Sequence, residues 1–263
     1  MFAQQMTSQS PVMFTAKDFS FSGPISIPGG WQTIKLVNEG HDFHQIQFLK
    51  LPPGKTAIDF QEAMSRNHWR QLPQWIQRHG GVNSVSPGAE AVVVINLIPG
   101  EYVLICGIPD MRGRPHVVQG MISSLLVKPS STPPPAPSAD VIITGTDFSY
   151  VVDGTLKPGP RIFQFRNDGE QAHEVVFVKL QPGASTQNFL NAYRPGSAPN
   201  PAGKTIGGMV GLDPGLDSYI QVDLEAGRYG LLCFLGDPVT GAPHFSQGMW
   251  IDIDVQSAQE TGP

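Results

Sequence analysis

The stretch "YVLICGIPDMRGRPHVVQGM" (residues 102–121) returns 127 positions later as "YGLLCFLGDPVTGAPHFSQGM" (229–249). Each copy runs from a Tyr through a short apolar segment to a lone Cys. A loop punctuated by Gly and Pro then leads to Pro-His, three variable residues and Gly-Met. Cys106 and Cys233 are the only cysteines in the 263 residues. A Gly just before each apolar segment, in "IPGEYVLIC" and "EAGRYGLLC", reads as a tight turn feeding a strand that ends at the Cys.

The repetition extends outward from this pair. Residues 80–106, "GGVNSVSPGAEAVVVINLIPGEYVLIC", align without a gap on 207–233, "GGMVGLDPGLDSYIQVDLEAGRYGLLC". Further upstream, "VNEGHDFHQIQFLKLPPG" (37–54) matches "RNDGEQAHEVVFVKLQPG" (166–183), which sets His44 against His173, and "KDFSF" (17–21) matches "TDFSY" (146–150). Repetition on this scale marks a duplicated unit. Between the copies, "PSSTPPPAPS" (129–138) is too rich in Pro and small polar residues to build a core and reads as a linker. The expected units are residues 12–128 and 139–256.

Composition agrees with short strands and turns. There are 29 Gly and 25 Pro, while charged residues make up only 15%. "AEAVVVINL", "DSYIQVDL" and "GMWIDIDV" carry β-branched residues with partial or clear period-two alternation, so each unit is expected to be an all-β sandwich. Short helical inserts are expected at "TAIDFQEAM", where Thr56 and Asp59 can form a capping box, and at "STQNFLNAY". "PQWIQRHGG" reads as a second short turn closed by Gly, and "HWRQLPQWIQRH" as an amphipathic cap with Trp69 and Trp75 packing inward. The net charge of −5 offers no basic footprint for nucleic acid. No apolar run reaches the roughly 18 residues of a membrane span. The opening "MFAQQMTSQSPVM" lacks the basic and apolar regions of a leader.

The chemistry lies in an order of residue types that occurs twice. The first unit presents His44, Cys106, His116 and Met121; the second presents His173, Cys233, His244 and Met249. One thiolate, two imidazoles and a weak thioether are the donors of a mononuclear copper site of the electron-transfer kind. Each residue also has an ordinary reading as a packed core side chain. A Cys106–Cys233 disulfide would need equivalent positions of two units to approach closely. His41, His68 and His79 read as turn or surface residues, and Asp110 and Asp237 as turn formers. Trp250 reads as the first residue of a closing strand.

These segments resemble the cupredoxin, or blue copper, family. "NEGHDFHQIQF" and "NDGEQAHEVVF" are similar to the segment carrying the family's first His ligand. The two Tyr-to-Met stretches are similar to its Cys, loop, His and Met. The nine and ten residues between Cys and second His exceed the spacing of small blue copper proteins and are closer to that of copper nitrite reductases. The resemblance implies two tandem Greek-key β-sandwich domains, one or two type 1 copper ions, a redox partner protein, and a periplasmic or extracellular location. No His-x-His pair is present for a multicopper cluster, so a carrier rather than an enzyme is expected. The alternative is a metal-free accessory subunit docking in a larger extracytoplasmic or membrane-associated complex.

Overall fold

The computed structural model of the chain describes residues 10–69, 71–194 and 200–256; most of the opening stretch read above for a leader lies outside them. The first half comprises β1 (Val12–Lys17), β2 (Ser20–Ser22), β3 (Ser26–Pro28), β4 (Gly30–Asn38), β5 (His44–Lys50), α1 (Ala57–Arg66), β6 (Gln77–Val85), β7 (Glu90–Leu97), β8 (Gly100–Ile105) and β9 (Ile122–Lys128). The second comprises β10 (Val141–Thr146), β11 (Ser149–Gly154), β12 (Gly159–Asn167), β13 (His173–Leu180), α2 (Thr186–Ala192), β14 (Gly203–Leu212), β15 (Asp217–Leu224), β16 (Gly227–Leu232) and β17 (Trp250–Val255). Residues 129–138 carry no regular element.

Two sheets face each other, and both run through the two halves. One is ordered β11-β10-β12-β15-β7-β4-β1-β2, the other β17-β16-β13-β14-β6-β5-β8-β9-β3. The halves are therefore joined edge to edge, β15 to β7 and β14 to β6, both antiparallel. Ile220 pairs with Val93 and Met209 with Val82. In each pair the partners are duplicates of one another, so a pseudo-twofold axis crosses both sheets at the seam. The pairing removes four exposed sheet edges, which would otherwise be free to recruit other chains. It also sets β5 and β13 antiparallel, with His44 and His173 starting them from opposite ends of the sandwich.

The core follows from strand alternation. Phe14, Phe48, Phe163 and Phe177 lie between the sheets in one continuous cluster spanning both halves. The outer face of the second sheet is covered too. Leu49, Val103 and Ile105 pack under Phe60 and Met64 of α1, and Val176, Val178 and Leu232 pack under Phe189 of α2. Burial on both faces explains why "HEVVFVKL" is an almost unbroken apolar run. Both helices start with a capping box, Thr56 with Asp59 and Ser185 with Asn188.

Two expectations need correction. "PQWIQRHGG" is largely strand, because β6 starts at Gln77, although Trp69 and Trp75 do pack inward beneath α1. His79, read as turn or surface, is 3% exposed on β6; its ring lies within hydrogen-bonding reach of the Asn96 carbonyl and Gln77 Oε1. The Gly-Gly of each repeat gains a reason here. Gly81 (φ 140°) and Gly208 (φ 147°) lie so close to the carbonyls of Ile46 and Val175 that a Cβ would overlap them. That approach accompanies the register shifts beside His44 and His173.

Candidate metal centres

Each half brings three donors together at one end of the sandwich. His44 opens β5, and the loop before it is pinned by Asn38. The Asn38 side chain donates to the Asp42 and Val85 carbonyls, both at 2.8 Å, and accepts from the Gly40 N–H at 2.9 Å. Asn167 repeats the arrangement before His173, donating to the carbonyls of Gln171 (2.7 Å) and Leu212 (2.8 Å). Cys106 and Cys233 follow β8 and β16.

The long span to the second His is closed by backbone. Pro109 bridges Pro115, the His116 N–H donates to the Ile108 carbonyl, and the Val117 N–H donates to the Cys106 carbonyl. In the second half Gly236 bridges Pro243, and the N–H groups of His244 and Phe245 donate to Leu235 and Cys233. Asp110 and Asp237 stabilise these loops as turn formers. Asp110 accepts from the N–H groups of Arg112 and Arg114, and Asp237 from those of Val239 and Thr240. These bonds hold both carboxyls down at about 2. The extra loop residues thus form a small hairpin and do not separate the donors.

His44, Cys106 and His116 converge, as do His173, Cys233 and His244; within each set the donor atoms lie within 4.8 Å of one another. The two Nδ1 atoms are 3.2 Å apart in both centres. Cys106 Sγ is 3.5 Å from His116 Nδ1 and 3.9 Å from His44 Nδ1, and Cys233 Sγ is 3.4 Å from His244 Nδ1. Donors about 2.0–2.3 Å from a shared ion leave separations of this size between them. Five of the six side chains are 0% exposed and His244 is 1% exposed. Both cysteines are free thiols, so no disulfide joins the halves.

The outer ring nitrogens show what the inner ones offer. His44 Nε2 lies 3.3 Å from Asp18 Oδ1, His173 Nε2 lies 2.5 Å from Asp147 Oδ1, and His244 Nε2 lies 3.1 Å from Gln171 Oε1. A ring that donates from Nε2 keeps its Nδ1 lone pair free, and these lone pairs face the sulfur. His116 Nε2 has no hydrogen-bond partner among the described residues, and Asp42 Oδ2 stands 3.6 Å away. Burial lowers the pKa of all four rings, that of His244 to about 4 with help from His173, so they are neutral near pH 7.

Burial also pushes the Cys106 thiol up to about 12, against the backbone N–H groups of Gln45 and Ile108, and raises Cys233 well above its ordinary value. Without a cation each sulfur keeps its proton; a soft metal ion would displace it. Met121 and Met249 are fully buried, and their backbones close the loops. Each Met N–H donates to the second His carbonyl, and each Met carbonyl accepts from the Cys N–H.

Several functional neighbours escape sequence reasoning. Asp18 and Asp147 lie far along the chain from the rings they touch, and only the repeated "DFS" hinted at them. Gln171 and Glu174 occupy positions where the first half has Asp42 and Gln45. Glu174 is 4% exposed and accepts from Asn83 Nδ2 of the other half and from the Phe234 N–H; burial raises its carboxyl to about 7.

No protein-family profile matches the chain, and no curated protein is similar to it. Solved structures of like fold exist. The chain is similar to reduced auracyanin from Roseiflexus castenholzii (15% identity over 46% of this chain and 98% of that one, TM-score 0.33). It is also similar to a blue copper oxidase from Nitrosomonas europaea (15%, 93% and 85%, TM-score 0.28) and to the copper nitrite reductase of that organism (14%, 94% and 94%, TM-score 0.27). One expectation falls at this point: that the chain is not an enzyme. Oxidases and a nitrite reductase are among the solved structures to which the chain is similar, and likeness of fold does not fix activity.

Proposed function

We propose that the protein is a two-centre copper electron carrier. One copper ion would be held by His44, Cys106 and His116, with Met121 as the weak fourth donor, and a second by His173, Cys233 and His244, with Met249. Copper supplies the one-electron redox chemistry when bound. The chain supplies two neutral imidazoles, one sulfur that gives up its proton to the metal, and a dry site that excludes competing ligands.

The observation that carries this reading is the inward convergence of two ring nitrogens and one sulfur, in the same geometry, in both halves. Two buried imidazoles and a thiol gathered at one point, twice in one chain, are the donor set of a soft metal ion, which is why the metal-free alternative is not favoured. Ligands at strand ends and in backbone-closed loops support a carrier, since little has to move when the metal changes charge. An extracytoplasmic location and a protein redox partner belong to the same reading, as blue copper proteins usually work outside the cytoplasm. Among the described residues, no helix is long and apolar enough to cross a membrane.

Copper titration followed by visible spectroscopy tests the proposal. The wild type is expected to bind two ions per chain with intense thiolate-to-copper absorption and to cycle reversibly by one electron at each. Cys106→Ser and Cys233→Ser each remove one centre, and the double variant is colourless. A colourless wild type after copper loading would overturn the reading.

A further inference from the structure

The repeated "KDFSF" and "TDFSY" have no part in the ligand set, yet both reach the metal centres. Strand register places them at the tips of two hairpins. Lys17 pairs with Ser20 and Thr146 with Ser149, so the connecting loops are Asp18-Phe19 and Asp147-Phe148. Two-residue hairpin loops favour Asn-Gly or Asp-Gly, because positive φ is needed there. Phe19 takes a φ of 64°, a left-handed conformation that disfavours a bulky side chain. Strain of this kind persists where the surroundings require that side chain.

The surroundings are the two imidazoles. The Asp meets the first ring: Asp18 Oδ1 at His44 Nε2 and Asp147 Oδ1 at His173 Nε2, at 3.3 and 2.5 Å. The Phe meets the second ring edge to face: Phe19 with His116 at a centroid distance of 5.3 Å, and Phe148 with His244 at 5.0 Å. The loop backbone holds each carboxylate in turn, through the His41 N–H on Asp18 and the Glu170 N–H on Asp147. Space for the contact is left by Gly40 and Gly169. A Cβ on either would lie 2.5 Å from the Asp oxygen and 2.6 Å from the His Nε2.

We infer that each Asp-Phe turn is a positioning clamp for its metal centre: the carboxylate fixes the first imidazole as the Nε2–H tautomer with Nδ1 turned inward, and the phenyl ring holds the plane of the second. The clamp rests on the copper reading for its purpose, but its action on the rings exists without metal. A carboxylate behind a liganding imidazole also raises the ring's basicity, and losing such a partner costs about 10–100-fold in metal affinity.

The test reads the apoprotein and the loaded protein separately. In the metal-free wild type, ¹⁵N imidazole correlations are expected to show His44 and His173 as Nε2–H tautomers. Asp147→Ala releases His173 into a tautomer mixture and weakens copper at that centre about 10–100-fold in chelator competition. Asp147→Asn keeps an acceptor, so it restores the tautomer and most of the affinity. It also raises the centre's reduction potential, because a negative charge near the oxidised metal has gone. Should the alanine variant fail to fold, the potential of the Asn variant and the Asp18 pair of variants decide. A His173 ring that keeps its tautomer in Asp147→Ala, with unchanged affinity, overturns the clamp; so does an unchanged potential in Asp147→Asn. A wild type that takes up no copper would sink the carrier reading alone, and the tautomers would still judge the clamp.

Discussion

The two centres differ little inside and much outside. Their Nδ1 separations agree at 3.2 Å and their sulfur-to-second-His distances at 3.5 and 3.4 Å. Beyond the donors the copies part. His244 Nε2 meets Gln171, which also donates to Asp237, whereas His116 Nε2 has no hydrogen-bond partner among the described residues and faces Asp42 at 3.6 Å. In the first half Asp110 instead pairs with Arg114 and Gln119. Tyr150 and Glu174 flank the second sulfur, where the first half has Phe21 and Gln45. The donor positions are dictated by backbone that both copies retain: the Asn pin, the loop bridges and the strand ends. The groups that tune the rings and the sulfur are side chains free to vary. Two centres of one geometry are therefore expected to differ in affinity and potential.

The sharpest way to break the comparison is at the glycines behind the first imidazoles. Gly169→Ala should abolish tight copper binding at the second centre, leave the first intact, and cost about 1–3 kcal/mol of apoprotein stability through overpacking. Gly40→Ala should do the reverse to a similar extent, because a Cβ there meets Asp18 Oδ1 and His44 Nε2 at the same 2.5 and 2.6 Å. Site-resolved copper binding and thermal melts check both; simultaneous loss of the two centres from one substitution would contradict their independence.

Next in size is Glu174. Its folded pKa of about 7 lies above the ordinary carboxylate value of 4.5. The stability linked to its bound proton is thus fully present below about pH 4.5 and lost as pH rises through 7. Glu174→Gln, which copies Gln45 of the other half, should make the apoprotein about 1–3 kcal/mol more stable than wild type near pH 8. The two should converge below about pH 4.5. Denaturant melts across this range check the sign, and parallel curves would contradict it.

The smallest effect is expected from Asp42→Gln, which installs the second half's residue beside His116. An acceptor for the orphaned Nε2 is worth about 1 kcal/mol, or roughly fivefold in copper affinity at the first centre. Chelator competition on the Cys233→Ser background isolates that centre, and no gain would mean that Asp42 already serves the ring.

The six converging His and Cys residues were legible in the sequence because duplication displayed them twice in the same order. The paired sheets were not. A strand such as "AVVVINL" is apolar whether its neighbour is in its own half or the other, so the β7–β15 and β6–β14 pairings left no mark in the pattern. His79 was misread for the same reason, since a polar residue near a Gly pair signals a turn unless the Gly pair is itself a strand bulge. The clamp was visible only as a repeated "DFS", because Asp18 and His44 lie 26 residues apart and nothing local links them. The long Cys-to-His span keeps its donors together because a hairpin inside the loop returns His116 and His244 to the sulfur.

X-ray absorption at the copper edge of the fully loaded protein asks the central question most directly. Two nitrogens and one sulfur per copper, at about 2.0–2.3 Å, are expected at an occupancy of two ions per chain. A shell of nitrogen and oxygen alone, or sulfur at only one ion of the two, would contradict the account of twin centres.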